Sequence, residues 1–241
     1  MSYLGLDIGT SGCKAVAFDS GGKQLAGAYR EYPLLHPAPE MAELDSDTVM
    51  AKCFEVIREV NAKISDPVTA MCISSQGEAF TAVDKNGNAL CNAMVSSDNR
   101  AVKQVRDFEG SFGREKLYGI TGHTSHPIFS LFKLLWLKEN KPGVWAAAKY
   151  FLCFEDLFVH RIGLEPHISW PLAGRTLLFD VAKHEWSSKI LSAAGLSAGQ
   201  LAIPVASGTV IGTITPEASK KLGFDQPVVI VAGGHDQTVG A

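Results

Sequence analysis

The sequence lacks any cysteine pairing pattern. Its five cysteines, Cys13, Cys53, Cys72, Cys91 and Cys153, are dispersed, with no Cys-x-x-Cys among them. An odd, scattered set argues against a disulfide framework and fits a reducing cytoplasm. A long apolar run is also missing. The most apolar stretch, residues 144–158, is broken by Lys149, Glu155 and Asp156, and is too short and too charged to span a bilayer. The chain enters a strand at once, without the basic region and apolar core that mark a signal peptide. Basic excess is absent as well: 22 Lys and Arg face 25 Asp and Glu, for a formal net charge of −3. Neither nucleic acid nor an anionic membrane is therefore an expected partner. Finally, Gly-x-x-x-x-Gly-Lys does not occur, which excludes a Walker-type phosphate loop.

What is present is enough apolar material, 46% of 241 residues, for a sizeable core. No low-complexity linker divides the chain, so one continuous domain is expected. Apolar runs over 3–9 and 14–19, split by a Gly/Thr/Ser turn, read as paired strands, with a third over 23–32. Pro33, Pro37 and Pro39 mark a loop. A helix follows, capped near Asp45 or Ser46, with Val49, Cys53, Val56, Ile57, Val60 and Ile64 at helical spacing. Asp66-Pro67 ends it. Residues 70–77 then lie over 5–12, and 82–90 over 17–25, as though the three-stranded unit were used twice. Any two such meanders look somewhat alike, so chance similarity stays open. From Asp98 to Arg161 the pattern is mainly helical, with a short strand over 150–152. Further strands are expected over 176–179, 210–214 and 228–232, and helices over 186–194 and 216–222.

Two acids stand out because glycines surround them. Asp7 sits in an otherwise apolar strand, and Gly9, Thr10, Ser11 and Gly12 follow. A charge there is costly unless it meets a metal, a partner or solvent at the strand end. Glycines let backbone N–H groups converge on phosphate oxygens. An ordinary tight hairpin, with the acid bonded to its own turn, is the alternative. Asp236 follows Gly233, Gly234 and His235 at the start of a short helical segment. It reads either as a general base aimed into a cleft or as a helix N-cap. The turn Ser74-Ser75-Gln76-Gly77-Glu78 could present Gln76 and Glu78 to the hydroxyls of a polyol, and Asp98 with Arg100 could add a charged pair. Solvated turns and helix caps explain these equally. His123 and His126 have the spacing of one helix face, but no nearby acid completes a metal set. Lys14 reads as a strand residue whose charge reaches solvent, and the Trp and Phe residues around 129–154 as core.

In order along the chain stand LGLDIGTSGCKAVAFD, AELDSDT, ISSQGEAFTAVDKNGNAL, SDNRA, FKLLWLKENKP, the segment 174–180, and VVIVAGGHDQTVGA. Together they resemble the N-terminal domain of the FGGY family of carbohydrate kinases, within the actin, hexokinase and heat-shock ATPase superfamily. The resemblance implies an α/β domain of the ribonuclease H-like (actin-like ATPase) class, with a mixed β-sheet flanked by helices. Residues 1–241 would form the sugar-binding domain, and the nucleotide-binding domain would lie beyond this chain. The implied activity is ATP-dependent phosphorylation of a small sugar or polyol hydroxyl, with Mg²⁺. By resemblance, Asp7 helps hold Mg²⁺ and, with Gly9, Thr10, Ser11 and Gly12, faces the ATP phosphates. Gln76, Gly77, Glu78, Asp98 and Arg100 lie at the sugar pocket or support it. Asp236 touches the sugar and is the catalytic base.

Departures from the family pattern leave the acceptor open. Ser96 stands where a tryptophan is usual, Gly77 where glycerol kinases carry arginine, and the usual Thr-Asp is replaced around His167 to Trp170. Xylulose is the first expectation; glycerol, another polyol or gluconate are the alternatives. A non-catalytic carbohydrate-binding module and an actin-like structural ATPase are readings of other classes. Alone, this lobe is expected to show little or no kinase activity, and a homodimer is left open.

Overall fold

Residues 1–240 are described by a computed structural model. Strand β1 (Ser2–Ile8) alternates as a half-buried strand must. Leu4, Leu6 and Ile8 face the core, while Tyr3 and Asp7 face outward. The chain turns back into β2 (Gly12–Asp19) and again into β3 (Gln24–Glu31), forming an antiparallel meander. The second turn is built by Asp19, whose Oδ1 accepts from the Gly21 and Lys23 amides, both at 2.9 Å. Gly22 supplies the left-handed φ of 82° that this turn requires.

Helix α1 (Ser46–Ala62) starts where expected. Asp45 is its N-cap, and its carboxylate accepts from the Thr48 amide. Val49, Met50, Cys53, Val56, Ile57 and Val60 are buried, and the helix packs against β2 and β3. Burial of each such side chain contributes roughly 1.5–3 kcal/mol. The helix returns the chain to β4 (Val68–Ser75), which lies parallel to β1. A long excursion of helices follows: α2 (Val102–Phe112), α3 (Ser130–Asn140) and α4 (Phe154–Arg161). Leu131, Phe132, Leu134 and Leu137 of α3 are buried, and Phe108 of α2 meets Phe132 edge-on at 6.2 Å. The chain then re-enters the sheet through β5 (Val210–Thr213), α5 (Pro216–Leu222) and β6 (Val229–His235), and ends in α6 (Asp236–Val239). The strand order is β5-β6-β4-β1-β2-β3. It is a mixed sheet: β6, β4 and β1 are mutually parallel, and the two margins are antiparallel.

Several expectations need correction. The second copy of the meander does not form. Only its first strand, β4, joins the sheet; Thr81–Val83 instead pairs with Tyr150–Leu152. Phe80, Thr81, Ala82 and Val83 are all buried, so this segment is covered on both sides and cannot serve as a sheet margin. The strand expected over 176–179 is only Phe179–Asp180, paired with Glu185–Trp186. Thr176 closes a turn instead, its hydroxyl donating to the Ala173 carbonyl at 2.7 Å. The helix expected from Trp186 begins at Ser188, because Ser187 caps it by accepting from the Ile190 amide. His123 and His126 share no helix face: Gly122, at φ 70°, ends the helix Arg114–Thr121 before them.

Candidate active site

The three parallel strands end side by side. Ile8 of β1, Ser75 of β4 and His235 of β6 lie in register across the sheet. The segments that follow them are therefore neighbours, and each carries residues singled out above. Carboxyl ends of parallel strands are where open α/β sheets bind ligands, because loops splay there and leave a crevice.

The first segment is the Gly9–Gly12 hairpin. Its shape is fixed by its own Gly9 N–H to Gly12 carbonyl bond at 3.0 Å. Outside groups brace it. The Tyr32 hydroxyl and the Gln76 amide both donate to the Gly9 carbonyl, at 2.6 and 2.9 Å. Thr10 donates its hydroxyl to Gln76 Oε1 at 3.1 Å. Both ends of the Gln76 carboxamide are thus engaged, and the residue itself is buried. Gln76 thereby locks the first hairpin to β4. Ser11 is exposed, and Gly12 is buried against Tyr29 and the Arg30 carbonyl, leaving no room for a Cβ.

Asp7 stands on the open face of the sheet, with Lys14 and Ser74 as its register partners on either side. It lines a groove of about 260 Å³ together with Lys14, Cys72, Ser74, Gly233 and Val239. Burial raises the pKa of its carboxyl, the Ser74 hydrogen bond opposes this, and the nearby Asp236 carboxylate raises it further. The Asp236 charge thus reaches Asp7 across the end of the sheet. Asp236 is half-buried and occupies the first turn of α6; His235, not Asp236, is the N-cap residue. A bulge between Ala232 and Gly234 turns the end of β6 toward this position.

The second segment is the turn at Gly77–Glu78. The Ala79 amide bonds back to the Gly77 carbonyl at 2.7 Å, and Glu78 between them takes a left-handed φ of 61°. Such a φ is uncommon for a residue other than glycine and persists only where surroundings enforce it. Here Ser130 donates to the Glu78 carbonyl at 2.8 Å, and Arg175 donates to the Glu78 carboxylate through two of its nitrogens. The Arg175 guanidinium also lies 4.8 Å above the Phe129 ring. Gly77 has no side chain for a packing reason. A Cβ there would lie 2.7 Å from the His235 ring, whose Nε2 is 3.3 Å from Asp236 Oδ1. Gly77, Glu78, Arg175, His235 and Asp236 are thus one contiguous wall.

Asp98 and Arg100 do not present free charges. The Asp98 carboxylate is fully buried, accepting from the Ala42 amide at 2.7 Å and from Arg100. Arg100, with its side chain 2% exposed, also reaches Glu43 at 2.7 Å and lies 4.8 Å over the Trp136 ring. This knot supports the loop before α2. Lys133 braces the segment just before it: its fully buried ammonium donates to the Val95 carbonyl at 2.9 Å. Burial lowers its pKa to about 8, while the Glu78 and Asp98 charges act to raise it. Among the described residues no cluster of three or more metal-binding side chains occurs.

Sequence reasoning missed Arg175 as the partner of Glu78, His235 as the ring packed against Gly77, and Lys133. The only signal for Lys133 was a charge within an apolar helical run; nothing local marked the other two.

The chain matches, over residues 2–241, the model of the FGGY family of carbohydrate kinases, N-terminal domain. It is 28% identical to a xylulose kinase of Bacillus subtilis (strain 168), covering all of this chain and 49% of that protein. Among solved structures it superposes on a gluconate kinase from Lactobacillus acidophilus with a TM-score of 0.92 and 27% identity, covering 99% of this chain and 48% of the other. A ligand-bound xylulose kinase from the same organism gives a TM-score of 0.92 and 27% identity, covering 99% and 49%. The chain thus spans about half the length of the relatives it matches. The expected ribonuclease H-like (actin-like ATPase) class, a mixed sheet with flanking helices, is the fold it shares with these structures.

Proposed function

Because the chain belongs to the FGGY family of carbohydrate kinases as its N-terminal domain, we propose that it is the acceptor-binding lobe of an ATP-dependent sugar or polyol kinase. The observation that carries this reading is the register of Ile8, Ser75 and His235, which sets Asp236 beside the Asp7 hairpin and the Glu78 wall. Phosphoryl transfer asks little covalent chemistry of a protein. It needs an acceptor hydroxyl held in line, neutralised charge, and a group to take the hydroxyl proton as the bond to phosphorus forms. Asp236 is half-buried and approachable, and is the candidate base. The hydroxyl becomes acidic only as attack proceeds, so an ordinary carboxylate suffices. Glu78, fixed by Arg175, and His235 border the place where the acceptor would sit.

The donor set suits Mg²⁺. That ion binds through one or two carboxylates plus substrate phosphates, and Asp7 offers a carboxylate on the open face beside Ser74 and near Asp236. Asp7 would hold the ion, and the backbone of Gly9, Thr10, Ser11 and Gly12 would face the ATP phosphates. Bound Mg²⁺ would supply charge neutralisation on the transferred phosphoryl group. The acceptor is proposed to be a ketopentose such as xylulose, with gluconate and glycerol beside it, and the setting a reducing cytoplasm, in keeping with five unpaired thiols. No helix among the described residues is long and apolar enough to cross a membrane.

A coupled ADP-release assay tests the reading, on a protein joining this lobe to its nucleotide-binding lobe, with xylulose, gluconate and glycerol as acceptors. Acceptor-dependent turnover is expected with one of them. ATP hydrolysis indifferent to every polyol offered would sink it.

A further inference from the structure

Glu155 lies in α4, in the apolar run Phe154 to Val159, and is completely buried. Among the described residues it has no cationic partner. Its two oxygens instead accept two backbone amides from distant parts of the chain: Oε1 from Gly233 at 2.9 Å and Oε2 from Ser169 at 2.8 Å. Both amides occupy telling places. Gly233 is the bulged residue of β6, skipped in the pairing with β4, so its N–H has no ladder partner. Three residues later the chain reaches Asp236. Ser169 ends the short strand His167–Ser169, and the helix Trp170–Gly174 then delivers Arg175 to Glu78. One carboxylate therefore ties together the two segments that carry the candidate base and the cation fixing the opposite wall.

We propose that Glu155 is a positioning residue: its carboxylate clamps the Gly233 bulge to Ser169 and so sets Asp236 relative to the Arg175–Glu78 pair. This rests on the proposed role of Asp236. A carboxylate suits the task because it accepts at both oxygens and donates at neither. A carboxamide of the same shape cannot replace it, since one of its ends would confront an N–H with another N–H. The neighbouring Asp156 is a natural control. It too is buried, but among the described residues it accepts from the Cys153 amide at 3.0 Å, its other oxygen has no hydrogen-bond partner, and it hydrogen-bonds to neither segment.

The clamp is read directly from the amide resonances of Gly233 and Ser169 by NMR of this chain. Both should shift in Glu155→Gln, and both should stay in place in Asp156→Asn. Should Glu155→Gln fail to fold, the wild-type chain decides: the two amides should titrate together with one midpoint, above the ordinary carboxylate range because burial raises the Glu155 pKa. The titratable groups facing Glu155 are Asp156 and Cys153 beside it and Cys72 on β4. In the two-lobed kinase, Glu155→Gln should lower kcat about 10- to 100-fold, as small misplacements of a catalytic group do, with acceptor KM changed less than about threefold. Amides that do not respond to Glu155, or kcat unaffected by its loss, would overturn the proposal. A wild type that phosphorylates no polyol sinks the kinase reading instead, and the clamp is then judged on the amides alone.

Discussion

Gly233 offers the sharpest test of the sheet geometry. A Cβ built on it would lie 1.8 Å from the Ile73 carbonyl oxygen and 2.5 Å from its carbon. These are backbone atoms of β4, the strand that joins the two halves of the sheet. They cannot swing aside as a side chain can, so Gly233→Ala must separate β4 from β6 by more than an ångström or unmake the bulge. Overpacking of a core costs about 1–3 kcal/mol and sometimes more. Loosening the Gly233 bond leaves a buried carboxylate short of a donor, worth a further 1–3 kcal/mol or so. The reduced freedom of the unfolded chain returns about 0.4–1 kcal/mol. The net expectation is a loss of about 2–5 kcal/mol, measured by urea unfolding of this chain. Gly234→Ala is the internal comparison. Its Cβ would meet side chains and no backbone: the exposed Val239 at 3.0 Å, which can yield, and the Ser207 and Thr238 hydroxyls at 3.7 Å, an ordinary contact. It should cost under about 1 kcal/mol, as changes away from buried contacts do. A Gly233→Ala variant within 1 kcal/mol or so of wild type, or a Gly234→Ala variant that is worse, would refute the reasoning.

Two further substitutions test the buried charges behind the wall. Burial lowers the Lys133 pKa from 10.5 to about 8, so between these values the unfolded chain holds a proton that the folded chain has released, and folding stability rises with pH. The gap corresponds to about 3 kcal/mol; unfolding from pH 8 to 10.5 should show wild type gaining on Lys133→Met by up to this amount, and a constant difference across the range would contradict the burial. Arg100→Met leaves Asp98 and Glu43 buried without their cation and should cost about 3–5 kcal/mol by thermal or urea unfolding, with partial recovery when Asp98→Asn is added; a loss under about 1 kcal/mol would show the knot to be solvated.

What the sequence made legible is what local chemistry controls. The meander shows in the alternation of Leu4, Leu6 and Ile8 and in the Asp19–Gly22 turn, and α1 shows in its Asp45 cap and apolar spacing. Asp7 stood out because a charge in an apolar strand is costly unless used, and Asp236 because two glycines clear the space just before it. The apparent second meander misled because residues 81–83 find their partner some seventy residues away, at Tyr150–Leu152, and nothing local encodes that choice. Gln76 looked free to bind a ligand because the groups that occupy it, Thr10 and the Gly9 carbonyl, meet it only when β1 and β4 pair. Glu155 and Arg175 were silent for the same reason. Their partners are a bulged amide, a strand end and a turn, brought together by the whole fold.

The most direct measurement is Asp236→Asn in the two-lobed kinase, with acceptor binding and turnover measured on the same protein. The carboxamide keeps the size and position of the side chain but cannot take the acceptor proton. The account predicts acceptor affinity within a few-fold of wild type and a fall in kcat on the order of 10²–10⁴. Turnover near the wild-type rate would remove Asp236 from the chemistry, and the meeting of the chain's two ends would then have no catalytic purpose.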